Sequence, residues 1–580
     1  MNSLNILSTE NDEFKKNYPN ILKKVGMKKL TEIEPTIDEM TKVYDIIINF
    51  IKTNKRKVYG GYALNKLLIM KKQSYAIYDE YDSPDIEFYS PDPMSDLIKL
   101  CDIISEKGYK NIMGQEAQHK ETYKIYVNFH SYCDITYMPL NIYNKCRYIQ
   151  SEGFNLIHPW FMTIDFFRMF TDPIVSYWRL EKHFSRYLKL QKIYPLPLIN
   201  KPLTIKSSQP DILTKVIHLF EEFLSSKTSI IFTGFYIYNY YLTNSEYFKA
   251  NSKFKEIKIP YLEVYSIEYI KDGLDIIKFV DELPEDIKKN ILHVEFNPFF
   301  CFYGYNTVFY YKIDDVNIPI LYFYSNNQKC IPYKEVPYLS FNNIKKKSSS
   351  LINIGSFDFN ILHALIILVK VRIDDDNDWN DIIYTFINNI VSFRNFYFNK
   401  HKKTLYDDTI YEGFVVNCKG ITIMPDREKR LLMQIRKKLG KSPIYRYEPG
   451  VSKHPSQYFF ANSSGNKISN PVSLQLTVKN LNKKLEDELE NNELMKIIPK
   501  KNKKINKDNN SKEDSENESD KISITDETSD KISITDETSN NSSKKKIVKN
   551  NQKLKRNIDI DDNNDIGDND DISENDDIFY

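Results

Sequence analysis

The sequence predicts an α+β protein containing two related domains, and three observations carry that prediction. A glycine pair at a strand-to-helix step, "KVYGGYALNKLL" (57–68), is followed by an apolar strand with two acids on alternate positions, "PDIEFYS" (84–90). The pattern returns in altered form as "FTGFYIYNYYL" (232–242) and "PYLEVYS" (260–266). Aligning Gly60 with Gly234 also aligns Tyr62 with Tyr236, Asn65 with Asn239 and Leu68 with Leu242; aligning Pro84 with Pro260 brings Glu87 onto Glu263, Tyr89 onto Tyr265 and Ser90 onto Ser266. Two motifs repeated in one order, one small length change apart, indicate a duplication. The length of 580 residues also exceeds what one core serves.

Taken in order, residues 35–54 have helical spacing, with Val43, Ile46, Ile47, Phe50 and Ile51 on one side. The short strand "RKVY", the Gly pair and the helix "YALNKLLIMKK" follow. "PDIEFYS" and "YKIYVNFHSYCDITYM" (123–138) are rich in β-branched and aromatic residues and read as strands. Residues 158–191 read as two helices opened by Pro159 and Pro173, the second capped by Thr171 or Asp172. After about residue 350 the texture is helical, with apolar segments at 359–371 and 381–395 and a basic helix at 426–441. Leu474, Val478, Leu481 and Leu485 mark a short amphipathic helix, suited to packing on the body or on a partner. Beyond Lys500 the tandem "SDKISITDET" repeat and the blocks of like charge have the composition of a disordered tail, dispensable for chemistry.

The formal net charge of +2 hides an asymmetry. The tail carries about −6 and the body about +8, a balance that permits a polyanionic partner without requiring one. Six cysteines, without a CxxC or zinc spacing, read as reduced core thiols of an intracellular protein. The N-terminus lacks the layout of a signal peptide, and no apolar run is long enough to span a bilayer.

Asp85 and Glu87 lie at i and i+2 of a strand and share one face, while apolar neighbours face the other way. A third acid, Asp134, interrupts the apolar strand "SYCDITYM". A D-x-E pair joined by a carboxylate from a neighbouring strand is how two-metal phosphoryl-transfer sites are built, each ion taking hard oxygen ligands. Gly60 and Gly61, at the start of a helix, let backbone approach phosphate oxygens where the helix terminus favours an anion. Alone, the pair also fits a tight turn without a ligand. Arg179, Lys182, Arg186 and Lys189 form a basic stripe, either a solvated face or a contact for triphosphate or RNA. His158 reads as a helix-start packing residue, and Asp165 as a buried partner of Arg168 or of a neighbouring helix.

This order of motifs is that of the polymerase-β-like nucleotidyltransferases. The fuller run, Gly-Gly-Tyr-Ala-Leu-Asn, "SPDIEFYS", "YCDITYM" and "HPWFMTIDFFRMFTDPIVSYWRLEKHFSRY", closely resembles the poxvirus-type poly(A) polymerase catalytic subunits in their giant-virus branch. The likeness implies an N-terminal extension (1–34), a catalytic nucleotidyltransferase domain (35–157), a helical connection (158–209) and a degenerate nucleotidyltransferase-like domain (210–350). A mostly helical region (351–470), the amphipathic helix (471–499) and the tail (500–580) complete it. The likeness implies that Asp85, Glu87 and Asp134 bind Mg2+ or Mn2+, and that Gly60 and Gly61 touch the ATP phosphates, with Asn65, Lys182 and Arg186 also on the nucleotide. Two departures stand out. Tyr62 replaces the Ser or Thr that usually follows the Gly pair, and the interval from Gly61 to Asp85 is long.

The implied activity is template-independent addition of AMP from ATP to mRNA 3′ ends. A nucleotidyltransferase acting on another RNA end or a protein hydroxyl, and a non-catalytic RNA-binding scaffold, are the alternatives. Intact Asp85, Glu87 and Asp134 argue against the scaffold. The resemblance further implies a homodimer, leaves open a processivity partner, and places the protein in virions and the host cytoplasm.

Overall fold

The computed structural model describes residues 11–32, 35–78, 84–205, 210–326, 329–341 and 347–452, with short helical pieces between 474 and 483. The charged tail and part of the amphipathic helix lie outside the described residues. The architecture below belongs to one compact unit, residues 23–490. Among the described residues no helix is long and apolar enough to cross a membrane.

The first sheet is built from β1 (Lys57–Tyr59), β2 (Ile86–Ser90), β3 (Met113–Glu116), β4 (Thr122–Val127), β5 (His130–Tyr137), β6 (Tyr148–Ser151) and β7 (Phe154–Ile157). The second uses β8 (Ile230–Thr233), β9 (Leu262–Ser266), β10 (Ile291–Phe296), β11 (Asn306–Ile313), β12 (Val316–Ser325), β13 (Ile331–Leu339) and β14 (Lys347–Gly355). Two short strands, β15 (Cys418–Lys419) and β16 (Arg446–Tyr447), extend the edges. The spatial orders are β16-β3-β4-β5-β2-β1-β7-β6 and β10-β11-β12-β9-β8-β14-β13-β15. Strand for strand, β3 to β7 and their neighbours correspond to β10 to β14. The directions agree too: β1 and β8 run antiparallel to β2 and β9, which run parallel to β5 and β12. The duplication legible in two motifs therefore extends over seven strands.

In the first domain the sheet has one apolar face. Val58, Ile86, Phe88, Cys133 and Ile135 are fully buried there. The helix Ile37–Thr53, capped by the Thr36 hydroxyl accepting from the Glu39 N–H (3.3 Å), lays Met40, Val43, Ile47, Phe50 and Ile51 against that side. Alternation then sends Tyr59, Glu87, Tyr89 and Asp134 to the opposite face. The run 123–138 is a hairpin rather than one strand. Asn128 and Phe129, both at positive φ (49° and 67°), form a two-residue turn whose mirror-image twist suits a tight hairpin.

Three further expectations change. The segment after Pro173 is a short turn of helix (Pro173–Ser176), a 3-10 turn (Tyr177–Arg179) and the helix Leu180–Ile193, so Arg179 caps the last piece instead of lying within it. A boundary at residue 350 would cut β14, and beyond it the helix Phe357–Ile373 bonds to the second sheet through Asn360 on Thr233 (2.7 Å) and His363 on Glu263 (3.0 Å), while Asn377–His401 packs on it and on the helix Phe235–Ser245. The first of these is apolar all round and is correspondingly buried; its Arg372 lies over Trp160 of the helix Pro159–Phe170, 4.3 Å from the ring centre, tying the two domains together. The cysteines are not all reduced: Cys330 and Cys418 form a disulfide, brought together because β15 pairs with the start of β13. Cys101, Cys133, Cys146 and Cys301 are free. The chain then returns to the first domain, where Arg436 of the basic helix Pro425–Lys438 grips Glu116 through both guanidinium nitrogens (2.5 and 3.0 Å) and β16 adds to β3. Leu474 packs on Gly273, and the backbone N–H groups of Leu474 and Gln475 donate to Glu295 (2.7 and 3.0 Å).

In the second domain, the surviving acid Glu263 is 4% exposed and bonded to His363 Nε2 at 3.0 Å, among the rings of Tyr261, Tyr265 and Tyr324. Glu263→Ala strips a buried hydrogen-bond partner from His363, which should lower unfolding stability by about 1–3 kcal/mol. Urea unfolding of the full chain measures this, and a midpoint unchanged at constant m-value would show the pair to be dispensable.

Candidate active site

The polar face of the first sheet holds one cross-strand row of four residues. Tyr59 of β1 sits opposite Glu87 of β2, Glu87 opposite Asp134 of β5, and Asp134 opposite Lys124 of β4. Lys124 Nζ lies 3.9 Å from Asp134 Oδ1. Asp85 stands two residues before Glu87, immediately ahead of β2, and is half-buried like its two partner acids. Burial pushes the Tyr59 phenol well above its ordinary range, and the negative charges of Glu87 and Asp134 push it further. Its hydroxyl shares a 2.7 Å hydrogen bond with Thr136 Oγ1, and its ring stacks on Tyr89 at 4.0 Å.

The row ends against the glycine turn. Gly60 has φ +69°, a region L side chains avoid, and the Glu87 carboxylate fills the space a Cβ would need. The N–H of Gly61 donates to Glu87 Oε2 at 3.1 Å. This N-terminus of the helix Gly60–Ile69 thus already holds an anionic oxygen, as its backbone donors and dipole favour. Where Gly61 lacks a side chain stand the Tyr78 hydroxyl and Arg186 Nη1, the latter 3.3 Å from that position. Arg186 in turn lies over the Tyr78 ring, 5.2 Å from its centre.

The structure therefore brings Gly60, Gly61, Asp85, Glu87, Asp134 and Arg186 to one region. The Asn65 Oδ1 accepts from the Ile77 N–H at 2.9 Å, clasping the loop that carries Tyr78. Asn239 makes the same 2.9 Å bond to Ile257 in the second domain, so this is a framework interaction kept by both copies. Lys182 is exposed, one turn before Arg186. Tyr62 is half-buried and packs edge-on to Phe154 at 5.8 Å. Sequence reasoning missed Lys124, Tyr59 and Tyr78. Lys124 had a signal, a cation on the polar phase of the apolar run "TYKIYV"; Tyr78 had none beyond the long interval in which it lies.

Two neighbouring residues settle as structural. The His158 ring accepts from the Trp160 N–H (3.4 Å) as a helix cap, and burial lowers its pKa to about 4. Asp165 accepts from Arg168 at 3.2 Å, while burial raises its pKa above the usual carboxylate value.

The donors fit divalent metal by kind and placement: three carboxylates on one face, beside an anion-binding turn. Glu87 is engaged by the turn in this arrangement, and among the described residues no three acid, His or Cys side chains converge on one point. The second domain keeps only the glutamate of this row. Thr233, Glu263, Tyr322 and Val308 take the places of Tyr59, Glu87, Asp134 and Lys124. Phe235 stands where Gly61 would be, and Tyr261 where Asp85 would be.

A model of the poly(A) polymerase catalytic subunit matches residues 45–176, and one of the C-terminal part of the mimivirus (APMV) catalytic subunit matches 190–479. A protein of Acanthamoeba polyphaga mimivirus named as a poly(A) polymerase catalytic subunit is 34% identical over 509 residues, covering 83% of this chain and 85% of its own. The chain belongs to the poly(A) polymerase catalytic subunit family. A relative bearing the same name in African swine fever virus is 30% identical over 167 residues, 28% of this chain and 35% of its own. The crystal structure of the Megavirus polyadenylate synthase superposes with a TM-score of 0.70 at 32% identity, covering 81% of this chain and 94% of that one. Membership makes the chain an adenylyltransferase with ATP and RNA as substrates and a divalent metal requirement.

Gly60 and Gly234 separate scaffold from chemistry. Gly60→Ala and Gly234→Ala should each destabilise by about 1–3 kcal/mol, through φ strain and a displaced glutamate. Only Gly60→Ala should also reduce AMP incorporation per folded molecule. Equal activity loss in both variants would contradict this division.

Proposed function

We propose that this chain extends viral mRNA 3′ ends with AMP, with Asp85, Glu87 and Asp134 holding a pair of divalent ions, Mg2+ or Mn2+. The observation that carries this reading is the row Tyr59–Glu87–Asp134–Lys124 abutting the Gly60–Gly61 turn, intact in one domain and dismantled in its duplicate. When bound, the ions lower the pKa of the attacking hydroxyl and neutralise charge on the triphosphate. The chain's own groups position the reaction. Arg186, beside Gly61, receives phosphate oxygens at the helix terminus. Tyr78 supplies there the hydroxyl that Tyr62, packed on Phe154, does not offer. Asp134 faces the primer, with Lys124 limiting the charge repulsion among the acids. The 3′ oxygen bonds to the α-phosphorus as the bond to the departing pyrophosphate breaks. On this reading the chain acts in virions and in the host cytoplasm, in viral factories.

The test is extension of an oligo(A) primer with each NTP singly, at saturating Mg2+. A ladder with ATP alone is expected, whereas labelled protein without RNA extension would make a protein hydroxyl the acceptor. Asp85→Asn keeps size and hydrogen bonding but removes a charge, so turnover should fall at least a hundredfold with ATP affinity nearly kept. More than about a tenth of wild-type turnover would place the metal site elsewhere. Tyr78→Phe should raise KM for ATP by about tenfold or more, the effect of one lost hydrogen bond to a charged group. Unchanged KM and kcat would remove Tyr78 from the site.

A further inference from the structure

The short connection from Pro173 to Arg179 presents large aromatic surface to water close to the candidate active site. Tyr177 is 71% exposed and Trp178 59%. The Arg179 guanidinium lies over the Trp178 indole, 4.2 Å from the ring centre. The helix Leu180–Ile193 continues from there. Phe184 and Tyr187 pack inward on Phe170, while Lys182 and Lys189 are exposed and Arg186 reaches the Gly61 turn. At helical rise, Trp178 stands about 12 Å from Arg186 along this path, the length of roughly three or four stacked nucleotides. Exposed aromatic rings interleaved with cations and leading into an active site match single-stranded nucleic acid, whose bases stack and whose phosphates pair. Protein–protein contacts share the taste for Tyr, Trp and Arg but are depleted of lysine, whereas Lys182 and Lys189 stand exposed on the adjoining helix.

Resting on the RNA-extending reading above, we propose that Tyr177 and Trp178, with Arg179 and Lys189, form the subsite for the nucleotides just upstream of the RNA 3′ end. Bases stack on the indole and phenol, and phosphates meet the cations. Neither contact reads base identity, which suits a strand whose last residues change from mRNA sequence to adenylate as the tail grows.

The full chain and a fluorescein-labelled oligo(A), without ATP, test this by anisotropy. Trp178→Ala should raise Kd about tenfold, within the range for one lost base stack. KM for primer should rise in proportion, with KM for ATP unchanged. Trp178→Phe should restore most of the affinity. Lys189→Ala should reduce the slope of log Kd against log salt by about 0.7. Trp160 is buried and Trp379 packs on Phe235 and Tyr261, so oligo(A) quenching of tryptophan emission should report Trp178 and vanish in Trp178→Ala. Unaltered Kd and quenching in that variant would overturn the proposal. So would a change in sedimentation mass without a change in RNA affinity, which would make the patch a surface for a second copy. A wild-type chain that binds oligo(A) through Trp178 yet adds no AMP would support the subsite and defeat the functional reading.

Discussion

A carboxylate seated against a glycine that has no side chain is the contact on which both domains are organised. Glu87 fills the Cβ space of Gly60, and Glu263 that of Gly234; both glycines have positive φ, 69° and 65°. The glycine lets the chain leave the strand and start a helix within one residue. The glutamate satisfies the exposed helix start and locks the adjacent strand's register to it. Any larger residue at the turn would push strand and helix apart. The contact is therefore a folding constraint, which explains its presence in both copies although the other acids are found in only one.

What distinguishes the two copies is what surrounds that contact. In the first domain the row stays polar from Tyr59 to Lys124, and the room beside Gly61 is taken by a hydroxyl and a guanidinium. In the second, aromatic residues close over the glutamate, and His363 takes its free oxygen at 3.0 Å. A buried carboxylate needs a partner, and once Asp134's counterpart is Tyr322 no shared cation can serve. The duplicate spends its glutamate on packing, and with the helices Phe357–Ile373 and Asn377–His401 becomes the support against which the active domain rests. Its loop returns to the catalytic face: Phe300 meets Tyr89 and Phe302 meets Phe161, at 6.4 and 6.1 Å.

The parts legible in the sequence are those governed by local chemistry. Gly60 and Gly61, the alternating acids of β2, Asp134 within an apolar run, and the repeat of the first two motifs all carry short-range signals. What stayed hidden depends on distant pairing. The Cys330–Cys418 bond spans 88 residues and exists because β13 meets β15. The seven-strand correspondence is invisible outside the two motifs because strand order is conserved where side chains are not. Asn65 is legible as one of the positions shared by both copies, but its framework bond to the Ile77 N–H, matched by Asn239 on Ile257, depends on a loop the sequence does not place.

The same comparison bears on Tyr78. A Ser or Thr after the Gly pair would bring a hydroxyl to the turn; Tyr62, in its place, packs edge-on to Phe154, and burial raises its pKa to about 12. A second hydroxyl arrives at that turn from the long interval before β2, held by the Asn65–Ile77 bond and covered by Arg186. The two departures from the family pattern, an aromatic residue after the Gly pair and an extended loop, are thus complementary. One removes a hydroxyl from the turn and the other returns one. The unit to vary in any engineered change of nucleotide affinity is therefore Tyr62, Asn65 and Tyr78 together, because altering one moves the position from which the others act.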